Sequence, residues 1–437
     1  MTGPSTVPGQ PRIGGARGAG LTLADQVVSS ASNFVLGVLV ARAGGADALG
    51  TFGIAFLIWL TVLGANRALV TEPMTVDGST EREDAQLREG MLASVVLGVG
   101  AAGLLVTVAT ALQLAGIDAV ALVALAPWIP SLLAHDYWRG MAYRFQRPDH
   151  ALSSDAVFAA VQGCITFALF ALEVASVPAY LAAWGVGATA GAATGLCLAR
   201  VRMTCKGGGL AHLRALWPRS RWFLAEFGTM FPSDQGYLLL LPLLLGTVQF
   251  GAYRAGTSLI GPALVIFVAA GNIGLPECVR RLRYQGMSGL AAYTPRLTGV
   301  VLALTILYCG TVALLAEPLL RLTYGEGFTD GVVVTQLVAA QFAITAVGFG
   351  YGVALKAAGQ MRQLWVVRAA TALVAIGGVI VLASAWGLVG AGLVGVLAGV
   401  TYTVGVMAGY RRFHRRASSI PSSGRLHRAE TVGASRI

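Results

Sequence analysis

Charge is what this chain has least of. Asp, Glu, Lys and Arg make up 12% of its 437 residues against 56% hydrophobic, and the mean hydropathy is +0.70. A soluble domain of that size would lack the surface charge to stay dispersed, so an ordinary globular fold in water is excluded. Cysteine is also scarce. Cys164, Cys197, Cys205, Cys278 and Cys309 show no Cys-x-x-Cys or other paired spacing, and four fall in or beside apolar runs. Disulfides and metal clusters are therefore not expected. No loop between the apolar runs is long enough to fold into a catalytic domain, so enzymatic activity is not expected. A Gly-x-x-x-x-Gly-Lys phosphate loop is missing as well, and no cofactor is anticipated.

What the chain does have is apolar sequence in runs of about 20 residues, each enough to cross about 30 Å of hydrocarbon as helix. About twelve such runs can be drawn: 22–43, 47–71, 91–115, 119–138, 151–174, 179–199, 223–246, 250–275, 297–316, 331–355, 364–384 and 387–410. The expected fold is an all-α polytopic membrane protein of about 12 transmembrane helices in two pseudo-symmetric six-helix lobes. Residues 1–20, Gly- and Pro-rich without an apolar core, read as a disordered cytoplasmic N-terminus rather than a cleavable signal. Residues 21–199 then form an N-lobe, 200–222 a basic cytoplasmic linker, 223–410 a C-lobe and 411–437 a basic cytoplasmic tail.

Basic residues resist translocation and so mark the cytoplasmic side. They alternate cleanly between the runs, from Arg82 and Arg88 through Arg139, Arg144 and Arg147 to the tail beginning at Arg411. Both termini are expected in the cytoplasm. The formal net charge of +11 is thus explained by topology, and a nucleic-acid partner is not expected.

The two halves echo each other at a spacing of about 201 residues. Asp25 answers to Glu226, Ser32 to Ser233, Asn33 to Asp234, Gly50 to Gly251 and Phe52 to Tyr253, and later Pro73 answers to Pro276 and Ala183-Trp184-Gly185 to Ala385-Trp386-Gly387. Carboxylates and amides are expensive in an apolar segment, so their repetition at one register argues for use. In the first run Thr22, Asp25, Gln26, Ser29, Ser32 and Asn33 share about a third of the helix circumference, a face expected to turn inward. Asp25 and Glu226 are placed near the cytoplasmic water boundary, Asn33 and Asp234 deeper. Asp25, Glu226 and Asp234 are the candidates for a coupling ion.

Arginines inside apolar runs need a partner or a wet cavity. Arg67 lies deepest, with snorkelling toward Glu72 or Thr71 as its plain explanation. Arg42 and Arg254 fall near the outer helix ends, against the positive-inside trend. Arg321 reads as a solvated loop charge. His135 and Asp136 precede Tyr137-Trp138-Arg139, and Asp136 three residues before Arg139 suggests an ion pair on one helix surface.

The stretch Asn33-Phe34-Val35 through Ala41-Arg42-Ala43-Gly44 to Leu49-Gly50-Thr51-Phe52-Gly53 resembles the opening helices of polysaccharide-transporter flippases. These belong to the multidrug/oligosaccharidyl-lipid/polysaccharide (MOP) exporter superfamily. Asp234, Gly246 and Phe250-Gly251-Ala252-Tyr253-Arg254-Ala255 resemble their seventh-to-eighth helix junction. The resemblance implies a MATE-like fold in a bacterial cytoplasmic membrane and flipping of an undecaprenyl-diphosphate-linked oligosaccharide to the outer leaflet during cell-surface polysaccharide biosynthesis. It implies Arg42, Arg67 and Arg254 as diphosphate-holding residues, with Asn33 and Asp234 in the same cavity. The implied partners are the lipid-linked glycan, membrane lipids and a polysaccharide polymerase or other export proteins. A drug/cation antiporter of the same superfamily and an inactive scaffold for envelope assembly are the alternatives.

Overall fold

The computed structural model describes residues 16–76, 84–201 and 208–418. Among the described residues the regular structure is all helix, joined by short turns, without a strand. In a bilayer the backbone must satisfy its own hydrogen bonds, which helices do within a single segment. Among the described residues nine helices are long and apolar enough to cross a membrane, and three of these run to 52–56 residues. A straight helix of 52 residues would measure about 78 Å, more than twice the hydrocarbon thickness. Single glycines resolve the excess. Gly45, Gly246, Gly286 and Gly387 each adopt φ between 56° and 77° with an extended ψ, a conformation essentially closed to other residues.

At each of these glycines the chain folds back. A Cβ on Gly37 would lie 3.9 Å from Leu49 Cδ1, and one on Gly378 would lie 3.4 Å from Val394 Cγ2. Tyr237 and Tyr253 share a hydrogen bond across Gly246, and the Arg281 guanidinium stands 4.6 Å from the Tyr293 ring centre across Gly286. The long helical stretches that result, besides a short helix at 316–323, are 16–44, 46–76, 84–114, 120–144, 148–171, 177–199, 209–245 with a break at Gln235, 247–285 with a break at Gly261, 287–314, 331–357, 361–386 and 388–418. These twelve match the apolar runs in number and order. Their outward faces carry exposed leucines such as Leu104, Leu114, Leu307 and Leu373, as contact with lipid requires.

The chain divides into two compact units, Met1–Phe231 and Pro232–Ile437. The division falls nine residues beyond the stretch expected as a linker. From Gly209 that stretch is helix, and it packs within the first unit: Ser220 Oγ donates to the Leu69 carbonyl at 2.7 Å and His212 Nδ1 lies 3.3 Å from Glu89 Oε2.

Within the first unit, α1 (Ala16–Asn66) is followed by a π-helical turn, Arg67–Thr71, and by α2 (Glu72–Val76). Next come α3 (Asp84–Leu114), α4 (Val120–Leu125), α5 (Ile129–Arg144), α6 (Pro148–Ala171), α7 (Val177–Ala199) and α8 (Gly209–Asp234), whose last three residues belong to the second unit. One apolar core gathers Phe52, Trp59, Tyr180 and Trp184, with the Phe56 ring stacked 5.7 Å from Trp184 and Trp59 edge-on at 5.9 Å. Small residues let α7 approach its neighbours. A Cβ at Gly187 would strike Gln162, one at Gly191 the His135 ring and one at Gly195 Trp138. This four-residue spacing of glycines brings α5 and α6 close enough for their polar side chains to meet.

The second unit contains α9 (Leu241–Ile260), α10 (Ala263–Leu314), α11 (Ala316–Thr323), α12 (Gly331–Ala357), α13 (Met361–Gly378) and α14 (Ser384–Ser418). Cys278, Val301, Ala346, Leu355 and Val406 lie in its core.

The echo holds at some positions only. Gly50 and Gly251 are both buried, as are Phe52 and Tyr253. Gly45 and Gly246, 201 residues apart, make the same turn, a match the sequence comparison passed over. The tryptophan pair is not equivalent. Trp184 is 2% exposed inside α7, whereas Trp386 is 60% exposed beside the turn glycine Gly387. The last helical segment begins at 177 in one half and at 388 in the other, so an offset of 202 is out of register there.

Candidate functional site

The charged residues of α5 form one stripe. His135, Asp136, Arg139 and Tyr143 fall within about 100° of arc at 100° per residue, so a single helix face holds two donors and two acceptor-bearing groups. Each of the four reaches a residue on another helix, and together they make a network inside the first unit.

Asp25 of α1 is fully buried. Its Oδ2 accepts from Arg139 Nε at 3.1 Å, from Arg139 Nη2 at 2.6 Å and from the Tyr143 hydroxyl. Arg139 Nε also lies 3.2 Å from Oδ2 of Asp155, a buried residue of α6. On the far side of Asp155, His135 Nε2 stands 3.1 Å from Oδ1, and the imidazole stacks on Phe158 with 5.0 Å between ring centres. Asp136 faces the other way. It accepts from Arg67 Nε at 3.0 Å and from Arg67 Nη2, a two-point pairing that fixes the plane of the guanidinium. Arg67 opens the π turn Arg67–Thr71, which interrupts the regular helix at this point.

Three carboxylates face two guanidiniums, so with His135 neutral the network carries one surplus negative charge. A single added proton balances it. Exposure runs opposite to that sign. Arg67 has 43% of its side-chain surface open, against 10% for Asp136, 1% for Asp155 and 0% for Asp25.

Several expectations are corrected here. Asp136 and Arg139 do not pair with each other along the helix: Asp136 takes Arg67 and Arg139 takes Asp25 and Asp155. In an apolar interior a charge is stabilised by whichever opposite charge can enclose it, and a partner from another helix does this better than one on the same surface. Arg67 does not rely on Glu72 or Thr71, because Asp136 holds it. Nor is Asp25 wetted at a cytoplasmic boundary. Its sequence counterpart Glu226 is exposed, so the two positions differ in kind. The polar face of α1 is likewise divided, with Asp25 buried while Thr22 and Gln26 are exposed.

Of the site candidates, the network brings together Asp25 and Arg67. Asn33, half-buried, lies eight residues past Asp25, about 12 Å along α1, and exposed Arg42 lies about 26 Å along it. Arg254 of α9 is half-buried in the second unit, one turn before Ser258, whose hydroxyl is 2.5 Å from that of Tyr324. Asp234 closes α8, but its side chain and that of Ser233 lie outside the described ones. Arg321, expected as a solvated loop charge, lies instead in the last turn of α11, paired with Glu317 at 2.8 Å and Glu326 at 3.2 Å. Sequence reasoning missed Asp155 altogether. The signal was available, since an aspartate five residues into an apolar run is costly without a partner.

No protein-family model and no curated protein matches this chain. Solved structures do. An inward-facing multidrug resistance MATE family transporter of the MOP superfamily aligns over 91% of this chain and 98% of its own at 12% identity, with a TM-score of 0.68. The lipid II flippase MurJ, in an inward closed conformation, aligns over 90% and 87% at 13% identity with a TM-score of 0.69. A MOP superfamily transporter from Pyrococcus furiosus Vc1, described as having a binding pocket of reversed polarity, aligns over 91% and 94% at 14% identity with a TM-score of 0.60. At such identities the likeness is one of fold. The chain has the polytopic helical fold of these transporters.

Proposed function

We propose that this chain is a flippase that moves an undecaprenyl-diphosphate-linked oligosaccharide from the inner to the outer leaflet of a bacterial cytoplasmic membrane, with both termini cytoplasmic. One observation carries the reading. The most exposed member of the charge network is a cation, whereas all three carboxylates of the network are buried. Arg67 uses two of its five N–H donors on Asp136, which holds the guanidinium in a fixed plane and leaves three donors on a half-buried side chain. That arrangement favours a phosphate over a cationic drug. Arg42 and Arg254 are further candidates for the diphosphate, and Asn33 and Asp234 for polar contacts with the glycan.

Outward movement of each negative charge down an inside-negative potential releases about 2.3 kcal/mol per 100 mV, which suits a chain lacking a nucleotide loop. A coupling proton would act on the Asp25–Asp136–Asp155 trio, whose surplus charge one proton removes. Glu226 and Asp234 remain secondary candidates for that role. The same surplus favours the second reading, a proton-coupled drug/cation antiporter with the MATE fold.

A deletion strain separates the two. Loss of a flippase leaves lipid-linked oligosaccharide on the inner leaflet, and Arg67→Gln at unchanged membrane abundance reproduces that accumulation. Normal glycan export together with hypersensitivity to cationic dyes would establish the antiporter and reject the flippase.

A further inference from the structure

The first half of α8 lies outside the apolar, membrane-length helices, yet it is fastened to them. Its docked face repeats every four residues. His212 Nδ1 lies 3.3 Å from Glu89 Oε2 on α3, Leu216 is buried among Leu87 and Met91, and the buried Ser220 hydroxyl bonds the Leu69 carbonyl at 2.7 Å. At the amino end a Cβ on Gly209 would collide with the backbone of Leu92 and Ala93, so the helix starts in direct contact with α3.

The anchors define where this segment sits. Glu89 is in the second turn of α3, and Leu69 is seven residues before the end of α2. Both lie about two turns from the one connection that joins these segments, which carries Arg82 and is followed by Arg88, on the basic side. Between them the segment advances about 12 Å from His212 to Ser220.

Opposite the docked face runs a second stripe. At 100° per residue Leu210, Arg214, Trp217 and Arg221 fall within about 60° of arc, centred roughly 130° from the His212–Leu216–Ser220 line. All four are exposed, Leu210 at 53% and Trp217 at 51%. Trp222 is 67% exposed and carries the Arg221 guanidinium 5.3 Å from its ring centre. Between Gly209 and Trp222 there are three arginines and no carboxylate. Guanidinium and indole alternating on one face, next to the ends of membrane helices, match a headgroup layer: indoles sit at the boundary and arginines meet phosphates.

We propose that the Leu210–Arg214–Trp217–Arg221 face of α8 is a docking surface for anionic phospholipid headgroups of the leaflet on the basic side, chiefly through Arg214 and Arg221. The partner is a lipid surface. Charge complementarity and continuity with the membrane-embedded helices choose it over a soluble partner.

Hydrogen–deuterium exchange of residues 208–222 in the full chain tests this, with the protein in nanodiscs of phosphatidylcholine alone or mixed with phosphatidylglycerol. Phosphatidylglycerol is expected to slow exchange of the segment roughly tenfold, as two arginines near an anionic surface should. The Arg214→Gln/Arg221→Gln double variant, which alters only exposed side chains, should lose that slowing and exchange as the parent does in phosphatidylcholine. Equal exchange of the parent in both membranes would overturn the proposal, as would full slowing in the double variant. Inorganic phosphate added to phosphatidylcholine nanodiscs should leave exchange unchanged. Protection by phosphate alone would mean a free-anion site and would also overturn it.

Discussion

The first unit buries carboxylates where the second buries hydroxyls. Among the described residues Asp25, Asp136 and Asp155 are buried in the first unit, while the buried polar side chains of the second are Thr294, Thr298, Thr305, Thr335, Thr371 and Thr403. The two classes are stabilised differently for the most part, Thr403 of α14 being the hydroxyl that reaches across, to the Ile344 carbonyl of α12 at 2.8 Å. Thr294, Thr335 and Thr371 each donate to the carbonyl four residues earlier, at 2.8 to 2.9 Å, and so are satisfied by their own helix. A buried carboxylate has no such recourse and must be met by another helix. Two units of one fold therefore differ in how their helices depend on each other. In the first, α1, α5, α6 and the Arg67 turn are tied through shared charges, and the whole set changes when one member does.

The hardest test of that contrast removes the shared cation. Arg139→Gln leaves Asp25 and Asp155 facing each other without a counter-charge, and the expected loss is about 3–5 kcal/mol, read as a lowered thermal midpoint of the purified chain in detergent. Adding Asp25→Asn and Asp155→Asn should restore most of it, because the uncompensated charges and not the missing guanidinium are what destabilise. An Arg139→Gln protein melting with the parent would mean the first unit is no more interdependent than the second.

Next in size is a matched pair of tryptophans. Trp184→Ala empties the stack with Phe52, Phe56 and Trp59 and should cost about 3–5 kcal/mol. Trp386→Ala removes an exposed ring and should fall within about 0.5 kcal/mol of the parent by the same melting measurement. Equal losses would revive the equivalence that their shared Ala-Trp-Gly context suggested.

That failed equivalence shows what the sequence could carry. Helix number and order were legible because the bilayer thickness sets the length of every apolar run, and this constraint is local. The echo of Gly50 with Gly251 and of Phe52 with Tyr253 was legible for a related reason, since both pairs lie within seven residues of a turn glycine that fixes register. Pairing was not legible. Spacing alone put Asp136 with Arg139, yet the glycine stripe of α7 draws α5 and α6 together and offers Arg139 two carboxylates from other helices. Asp155 went unnoticed for the same reason, as its use depends on a neighbour 16 residues away in sequence and 3.2 Å away in space.

Where the units are alike, substitutions should act alike. Gly45→Ala and Gly246→Ala each force a side chain into a backbone conformation that glycine alone adopts readily, at about 1–3 kcal/mol apiece. Nothing stands within 4 Å of the added methyl at either site, so the loss measures backbone strain without a steric clash. Melting curves of the two variants should shift by similar amounts, and a large difference would show that the repeat does not extend to its turns.

The smallest effect belongs to the second unit. Thr335→Val keeps the shape of a fully buried side chain and deletes a hydroxyl that donates to Gly331 O at 2.9 Å, with Gly256 O at 3.4 Å. The Gly331 carbonyl retains the backbone bond of its helix, so no buried acceptor is left without a donor. The loss should stay at the low end of the range for a neutral hydrogen bond, about 0.5 kcal/mol. Because valine occupies the same volume, a Cβ-sized gap at the close approach of Gly256 to Thr335 is not opened either. A loss approaching that of Arg139→Gln would place an essential polar contact in the second unit and erase the difference between the two. A loss near the detection limit would leave the first unit as the half whose helices are held by charge.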